Sequence, residues 1–332
     1  MHKKRTLTGI KPTGQVHLGN YLGAIRPALS LAEEHEAYYF IADYHALNSV
    51  SDGSELRENT YSVAATWLAS GLNPEKTLFY RQSDIPEIFE LTTMLMAFTA
   101  KGLLNRAHAY KSAVEQNITD NRDPDFHINM GLYTYPVLMA ADILIAQADL
   151  VPVGYDQKQH IEMARDIAEA VNNNYGKTLL KLPSPYFSRD MQMVVGLDGR
   201  KMSKSYNNVI PLFASEGELK KLVSRIVTNS QAIDEVKDPS VCNVFTLYKC
   251  FATQEECLAL ANRYTTPGMG WGDAKKSLLT CLEREIGPIR EKYQYWMSHQ
   301  DEMNDILQAG AKRVRAMARE QIDQLRSEMG LN

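Results

Sequence analysis

No stretch of the 332 residues approaches the roughly 18 consecutive apolar residues that a membrane-spanning helix needs. Met1 to Arg5 lead straight into a strand-like segment without the apolar run of a signal peptide, so a cytoplasmic protein with no membrane partner is expected. Cysteine is scarce: Cys242, Cys250, Cys257 and Cys281 include no C-x-x-C pair, which argues against a zinc knuckle or a redox motif. No structural zinc is expected. Basic charge is not in excess either, since 36 Lys and Arg face 40 Asp and Glu for a formal net charge of −4. A nucleic acid would therefore have to meet a local basic face, because the field of the whole chain does not attract a polyanion. Repeats and low-complexity tracts are lacking. What is present is an ordinary globular composition, 44% hydrophobic and 23% charged, in a chain long enough for two domains.

Thr6 to Ile10 reads as a short strand, Lys11 to Gly14 as a turn, and the stretch from Val16 onward as a helix with Leu18, Leu22, Ile25 and Leu29 at helical spacing. Ala37 to Ala42 (AYYFIA) is a nearly all-apolar run of strand length, as expected of a strand buried on both faces of a parallel sheet. A helical stretch over Leu56 to Ala69 precedes another apolar strand at Leu78 to Tyr80. This alternation predicts an α/β fold, a Rossmann-like doubly wound parallel sheet whose ligands sit beyond the carboxyl ends of the strands. Helical stretches around Ile88 to Ala107 and Pro136 to Gln147 interrupt it as an insertion of about 84–148. Between them Ala113 to Met130 is polar and aperiodic and reads as a loop, and short strands follow at Leu150 to Val153 and Met193 to Val195. After Pro211 helical patterns take over. The expected division is a catalytic domain over 1–212 and an all-helical region over 213–332, whose last helix, with an apolar stripe from Met303 to Leu325, is placed to pack back on the first domain.

Two strings carry chemistry. His17-Leu18-Gly19-Asn20 falls where the first strand turns into the first helix, after Gly9 and Gly14. Glycines there admit a nucleotide close to the backbone, a helix amino terminus favours phosphate, and His or Asn can donate to phosphate oxygens. Gly199 to Ser205 (GRKMSKS) offers two lysines three apart between small hydroxyl residues. Lysines on such a segment can follow charge that moves onto pyrophosphate in a transition state. A third stretch, YPVLMAADIL, spaces Tyr135, Met139 and Asp142 by four and three, so on a helix all three share one face. Pro136 is read as first-turn, and the carboxylate on an apolar helix demands a donor. In VPVGYDQKQHIE, Asp156, Gln157 and His160 share a helical face just beyond a strand end, and an acid and an amide there suit an ammonium group and a ribose hydroxyl.

HLGN paired with a distant KMSKS resembles the ATP-binding signatures of class I aminoacyl-tRNA synthetases. MAADIL and VPVGxDQKQHIE are similar to the bacterial tryptophanyl branch, from Gly9 through KMSKS and more weakly beyond. In the related tyrosine enzymes an amide residue stands at the position of Met139. The resemblance implies ATP-dependent activation of L-tryptophan to its adenylate, release of pyrophosphate, and transfer to tRNA(Trp) by a homodimer, with Mg2+ arriving on ATP.

Carried over by residue, the resemblance implies a catalytic set of His17, Asn20, Lys201, Lys204 and Lys111. Lys11, Thr13, Gly19, Asn20, Gly154, Asp156, Lys201, Met202 and Lys204 would bind ATP. Leu7, Gly9, His45, Tyr135, Met139, Asp142, Val151, Val153 and Gln157 would bind tryptophan, with Asp142 accepting the indole N–H. Lys11 and Tyr155 replace a glutamine and a glutamate common in relatives, which leaves their effect on ATP open. Some relatives hold an iron–sulfur cluster on four C-terminal cysteines. Matching places Cys242, Tyr264, Trp271 and Ala274 at those positions, so no cluster is expected. For tRNA the basic strip Lys312, Arg313, Arg315 and Arg319 competes with Lys220, Lys221 and Arg225. A tyrosine-specific relative, a nucleotide adenylyltransferase and a catalytically retired tRNA-binding paralogue are the alternative readings.

Overall fold

The structure, a computed structural model, describes residues 3–187 and 194–331, except for the side chain of Asp156. Five strands form one sheet: β1 (Arg5–Ile10), β2 (Glu36–Ile41), β3 (Thr77–Arg81), β4 (Leu150–Pro152) and β5 (Ser184–Tyr186). Their order is β3-β2-β1-β4-β5 and every pairing is parallel. The chain builds outward from β1 to β3, then crosses back to β4 on the other side of β1. The carboxyl ends of β1 and β4 therefore diverge into a crevice, the position where doubly wound sheets take ligands.

The run AYYFI makes β2 a central strand because both of its faces have something to bury. Ala37, Tyr39 and Ile41 join one apolar cluster, while Tyr38, Phe40 and Ala42 join a second on the opposite face. The first cluster also takes the helix Gly53–Ala69 and most of the buried C-terminal residues, up to Met303 and Leu307. The second takes the insertion helices and the later residues of the last helix, Ala311, Val314, Ala318, Ile322 and Leu325. The helix Gln300–Met329 thus passes from one face of the sheet to the other around its β3 edge. At the crossing Gly310 lies so close to the backbone of β3 that a Cβ there would overlap the Phe79 carbonyl. Ion pairs hold the helix further along: Arg315 and Arg319 both reach the buried Glu87, and Arg326 reaches Glu90.

Three sequence readings are revised, and one strand was not foreseen. The stretch from Ala113 is not all loop, since the helix His108–Thr119 runs into it. Asn117 is the one buried residue of that helix, so no apolar stripe announced it. The helix carrying Tyr135 begins at Met130, capped by the Asn129 side chain on the Leu132 amide, which puts Pro136 inside the helix and not in its first turn. Met193 lies outside the described residues, and Val195 forms an antiparallel bridge with Lys201 in place of a sheet strand. β5 went unforeseen because three residues with a central proline carry no period; at a sheet edge the missing N–H is harmless.

Candidate active site

A cavity of about 360 Å³ occupies the crevice between the ends of β1 and β4. β1 and its following turn supply Leu7, Gly9 and Lys11; the helix Met130–Ile145 supplies Tyr135, Met139 and Asp142; β4 and the residues after it supply Val151, Val153, Gly154 and Gln157; His45 closes one side. Gly9 must be small, since a Cβ would overlap the Phe40 ring, itself part of the wall. A wider cavity of about 910 Å³ adjoins it, lined by His17, Gly19, Asn20, Lys201 and Met202. Gly23, Ala24, Gly154 and Gln157 belong to both walls. Gly23 and Ala24 lie in a π-helical turn, Tyr21–Ile25, which interrupts the helix begun by Leu18–Asn20. Such turns shift helical register at the point where a ligand approaches.

Asp142 is 1% exposed and its carboxylate is hydrogen-bonded at the floor of the first cavity. Gln82 Nε2 donates to both oxygens at 2.9 Å, and His45 Nε2 lies 3.0 Å from Oδ2. Burial pushes the carboxyl pKa up, and the His45 and Gln82 contacts oppose that rise. The Gln82 carbonyl in turn accepts from the Tyr44 and His45 backbone amides, so one buried amide fixes the acid and the neighbouring histidine together. Tyr135 Oη meets His160 Nε2 at 2.6 Å.

In the second cavity the His17 backbone amide donates to Asn20 Oδ1 at 3.1 Å, which leaves the Asn20 amide nitrogen as a donor. The imidazole of His17 is buried, its Nδ1 has no hydrogen-bond partner among the described residues, and burial together with the positive Lys204 lowers its pKa to about 4. It is neutral at physiological pH. Lys204 Nζ donates to the Thr13 carbonyl at 2.6 Å, so the lysine segment is tied to the turn that precedes His17, and partial burial lowers the ammonium pKa.

Most of the expected residues converge. Lys111 does not: it is exposed on the helix His108–Thr119, pairs with Glu115 at 3.6 Å, and lines neither cavity. Thr13 contributes its carbonyl, and Lys11 lies on the Asp142 side instead of the His17 side. The side chain of Asp156 lies outside the described residues. Tyr155 stacks on Phe187 with centroids 4.4 Å apart and forms part of the second cavity's wall. Sequence reasoning missed Gln82, 60 residues from its partner in a short turn, for which no local signal exists. It also missed His160 as the partner of Tyr135, and Asn208 behind the lysine segment.

Hydrogen-bond donors at a helix start, lysines on and just after a facing hairpin, and an apolar cavity floored by an acid together fit a nucleotide-dependent enzyme that also takes a largely apolar molecule. The chain belongs to the class I tRNA synthetases of the W and Y group, whose family model matches residues 1–286. Within that group it is 47% identical to a tryptophan–tRNA ligase of Neisseria meningitidis over 100% of this chain and 99% of that one. A tryptophan–tRNA ligase of Pseudomonas putida is 49% identical over 98% of this chain and 74% of its own length. Among solved structures, tryptophanyl-tRNA synthetase from Campylobacter jejuni, complexed with ADP and tryptophan, superposes with a TM-score of 0.89 at 41% identity, covering 98% of this chain and 99% of that one.

Proposed function

We propose that this chain is a tryptophan–tRNA ligase, which activates L-tryptophan with ATP and transfers the acyl group to tRNA(Trp). The observation that carries the reading is the buried Asp142 at the floor of an apolar cavity that opens onto the His17 and Lys201 cavity. In this assignment the indole lies against Leu7, Met139, Val151 and Val153, and its N–H donates to Asp142. Tyr135 and Gln157 face the amino group. Tryptophan's carboxylate then points through the shared Gly23 and Gly154 wall toward the α-phosphate, and attacks it as pyrophosphate leaves. No protein nucleophile is needed; positioning and charge stabilisation suffice.

His17 and Asn20 are assigned to phosphate oxygens, a role that suits a neutral imidazole, which donates without adding charge. Lys201 and Lys204 follow the charge that accumulates on pyrophosphate, and Mg2+ arrives with ATP, held mainly by its phosphates. For tRNA the reading favours Lys220, Lys221 and Arg225, which are exposed, over Arg315 and Arg319, which are committed to Glu87. A cytoplasmic homodimer completes the assignment. ATP–pyrophosphate exchange with each of the twenty amino acids tests it: exchange stimulated by tryptophan, with charging of tRNA(Trp), is expected, and stimulation by tyrosine alone would overturn it.

A further inference from the structure

Of the two signature lysines, Lys201 stands in the returning arm of a hairpin and Lys204 opens the short 3-10 turn Lys204–Tyr206 that follows it. Val195 bridges Lys201, the Gly196 amide donates to the Arg200 carbonyl at 2.7 Å, and the Met202 amide to the Val194 carbonyl at 2.8 Å. A hairpin of this size has few contacts of its own, and a free one would scatter its side chains. Behind it sits Asn208, 2% exposed and five residues after Ser203. Its Oδ1 accepts from the Ser203 amide at 2.8 Å, while its Nδ2 donates to the Lys201 carbonyl at 3.1 Å and to Asp198 Oδ1 at 2.7 Å. The Asn208 carbonyl also accepts from the Leu197 amide at 2.9 Å. One buried side chain therefore grips the backbone on both sides of Met202 and the tip of the hairpin.

Two neighbours match this arrangement. A Cβ on Gly196 would overlap the Asn208 amide, so that glycine leaves room for it. Asp198, which receives the amide, is also bonded to the Arg200 backbone and guanidinium; these contacts, with Asn208 first, hold its carboxyl at about 2, so it is a charged acceptor at any working pH. Aspartate at 208 could not replace asparagine, because it would face Asp198 with two acceptors.

We propose that Asn208 is a positioning residue for amino-acid activation: it sets where Lys201 and Lys204 stand during adenylate formation while touching no substrate. The proposal rests on the assignment of those lysines to the ATP phosphates. Displacing a catalytic group by about 1 Å costs on the order of 100-fold in rate. Asn208→Ala is accordingly expected to lower kcat of tryptophan-dependent pyrophosphate exchange by roughly 30–100-fold while the tryptophan KM stays within about 2-fold. Transfer of the acyl group from preformed adenylate to tRNA, measured in a single turnover, should be unchanged, a separation that a general folding defect would not produce.

Gly196→Ala, which crowds the same amide with Asn208 intact, should reproduce the split. If Asn208→Ala fails to fold, that variant carries the test. Lys201→Ala and Lys204→Ala are measured beside them. Lysine variants with full activity would remove the underlying assignment. Lysine variants that collapse while both Asn208→Ala and Gly196→Ala exchange normally would overturn the role of Asn208, as would an equal loss in activation and transfer.

Discussion

Asp142 shows how much of a binding site is decided by partners that the sequence keeps far apart. An ionised carboxylate with 1% exposure is costly unless donors surround it, and Gln82 and His45 supply them. Removing the acid should cost tryptophan kcat/KM about 2–4 kcal/mol, the range for a hydrogen bond to a buried charged group. The sharper readout uses a benzothienyl analogue of tryptophan, which has sulfur where indole has N–H. Asp142→Ala should accept it nearly as well as tryptophan, and unchanged discrimination would move specificity elsewhere. Gln82→Leu removes one of the two donors to the same carboxylate, leaving His45, so it should weaken tryptophan use while the ATP KM holds.

His17 yields a pH prediction with a definite sign. Its folded pKa, about 4, lies below the 6.5 of the unfolded chain. Between those values the unfolded state binds a proton that the folded state does not, so acidification from pH 6.5 toward 4 destabilises the fold, and the contribution vanishes above that window. Urea unfolding at pH 7.5 and pH 5 should show a smaller loss for His17→Gln than for the parent. An equal loss would mean that His17 is not held neutral. Exchange activity should likewise show no inflection from this group between pH 6 and 8.

At the scale of elements, the local strings were legible because their meaning is local. HLGN follows β1 within a few residues, and the 135, 139, 142 spacing places three side chains on one face whatever the tertiary context. The lysine pair was readable as a string, but its support was not, because the role of Asn208 depends on a hairpin closed by the Val195–Lys201 bridge. The polar helix His108–Thr119 escaped notice because it buries almost nothing, and β5 because it is three residues long.

Gly310 belongs here too, as a helix residue with no visible reason for being glycine until the backbone of β3 appears against it. Gly310→Ala gains helix propensity worth about 1 kcal/mol. It must also push a helix away from a strand backbone, and overpacking of that kind costs typically 1–3 kcal/mol. A net loss in thermal stability is therefore expected, and a stabilised variant would show that the two elements separate freely.

Across the whole molecule, residues before and after 212 share the first apolar cluster. Within its C-terminal part, Cys242 Sγ lies 3.3 Å from Tyr264 Oη, the Tyr264 ring meets Trp271 edge-on, and Ala274 is buried. Three of the four positions that the family resemblance matched to cluster ligands, Cys242, Tyr264 and Trp271, thus meet through a thiol–phenol contact and an edge-on ring pair. Anaerobically purified protein should be colourless, and stoichiometric iron with a visible charge-transfer band would refute that expectation.

The passage of the helix 300–329 around β3 bears on how the chain is made. β3 is a sheet edge, and an uncovered edge is a template for pairing with another chain. The helix that covers it leaves the ribosome more than 200 residues later, a wait of about ten seconds or more at roughly 5–20 residues per second. Throughout that interval the β3 edge stands open, and from residue 186 onward the nascent sheet is complete in sequence but still uncovered on that side, so the protein's exposure to misassembly is set by translation speed and by whatever chaperone shields the edge until the closing helix arrives.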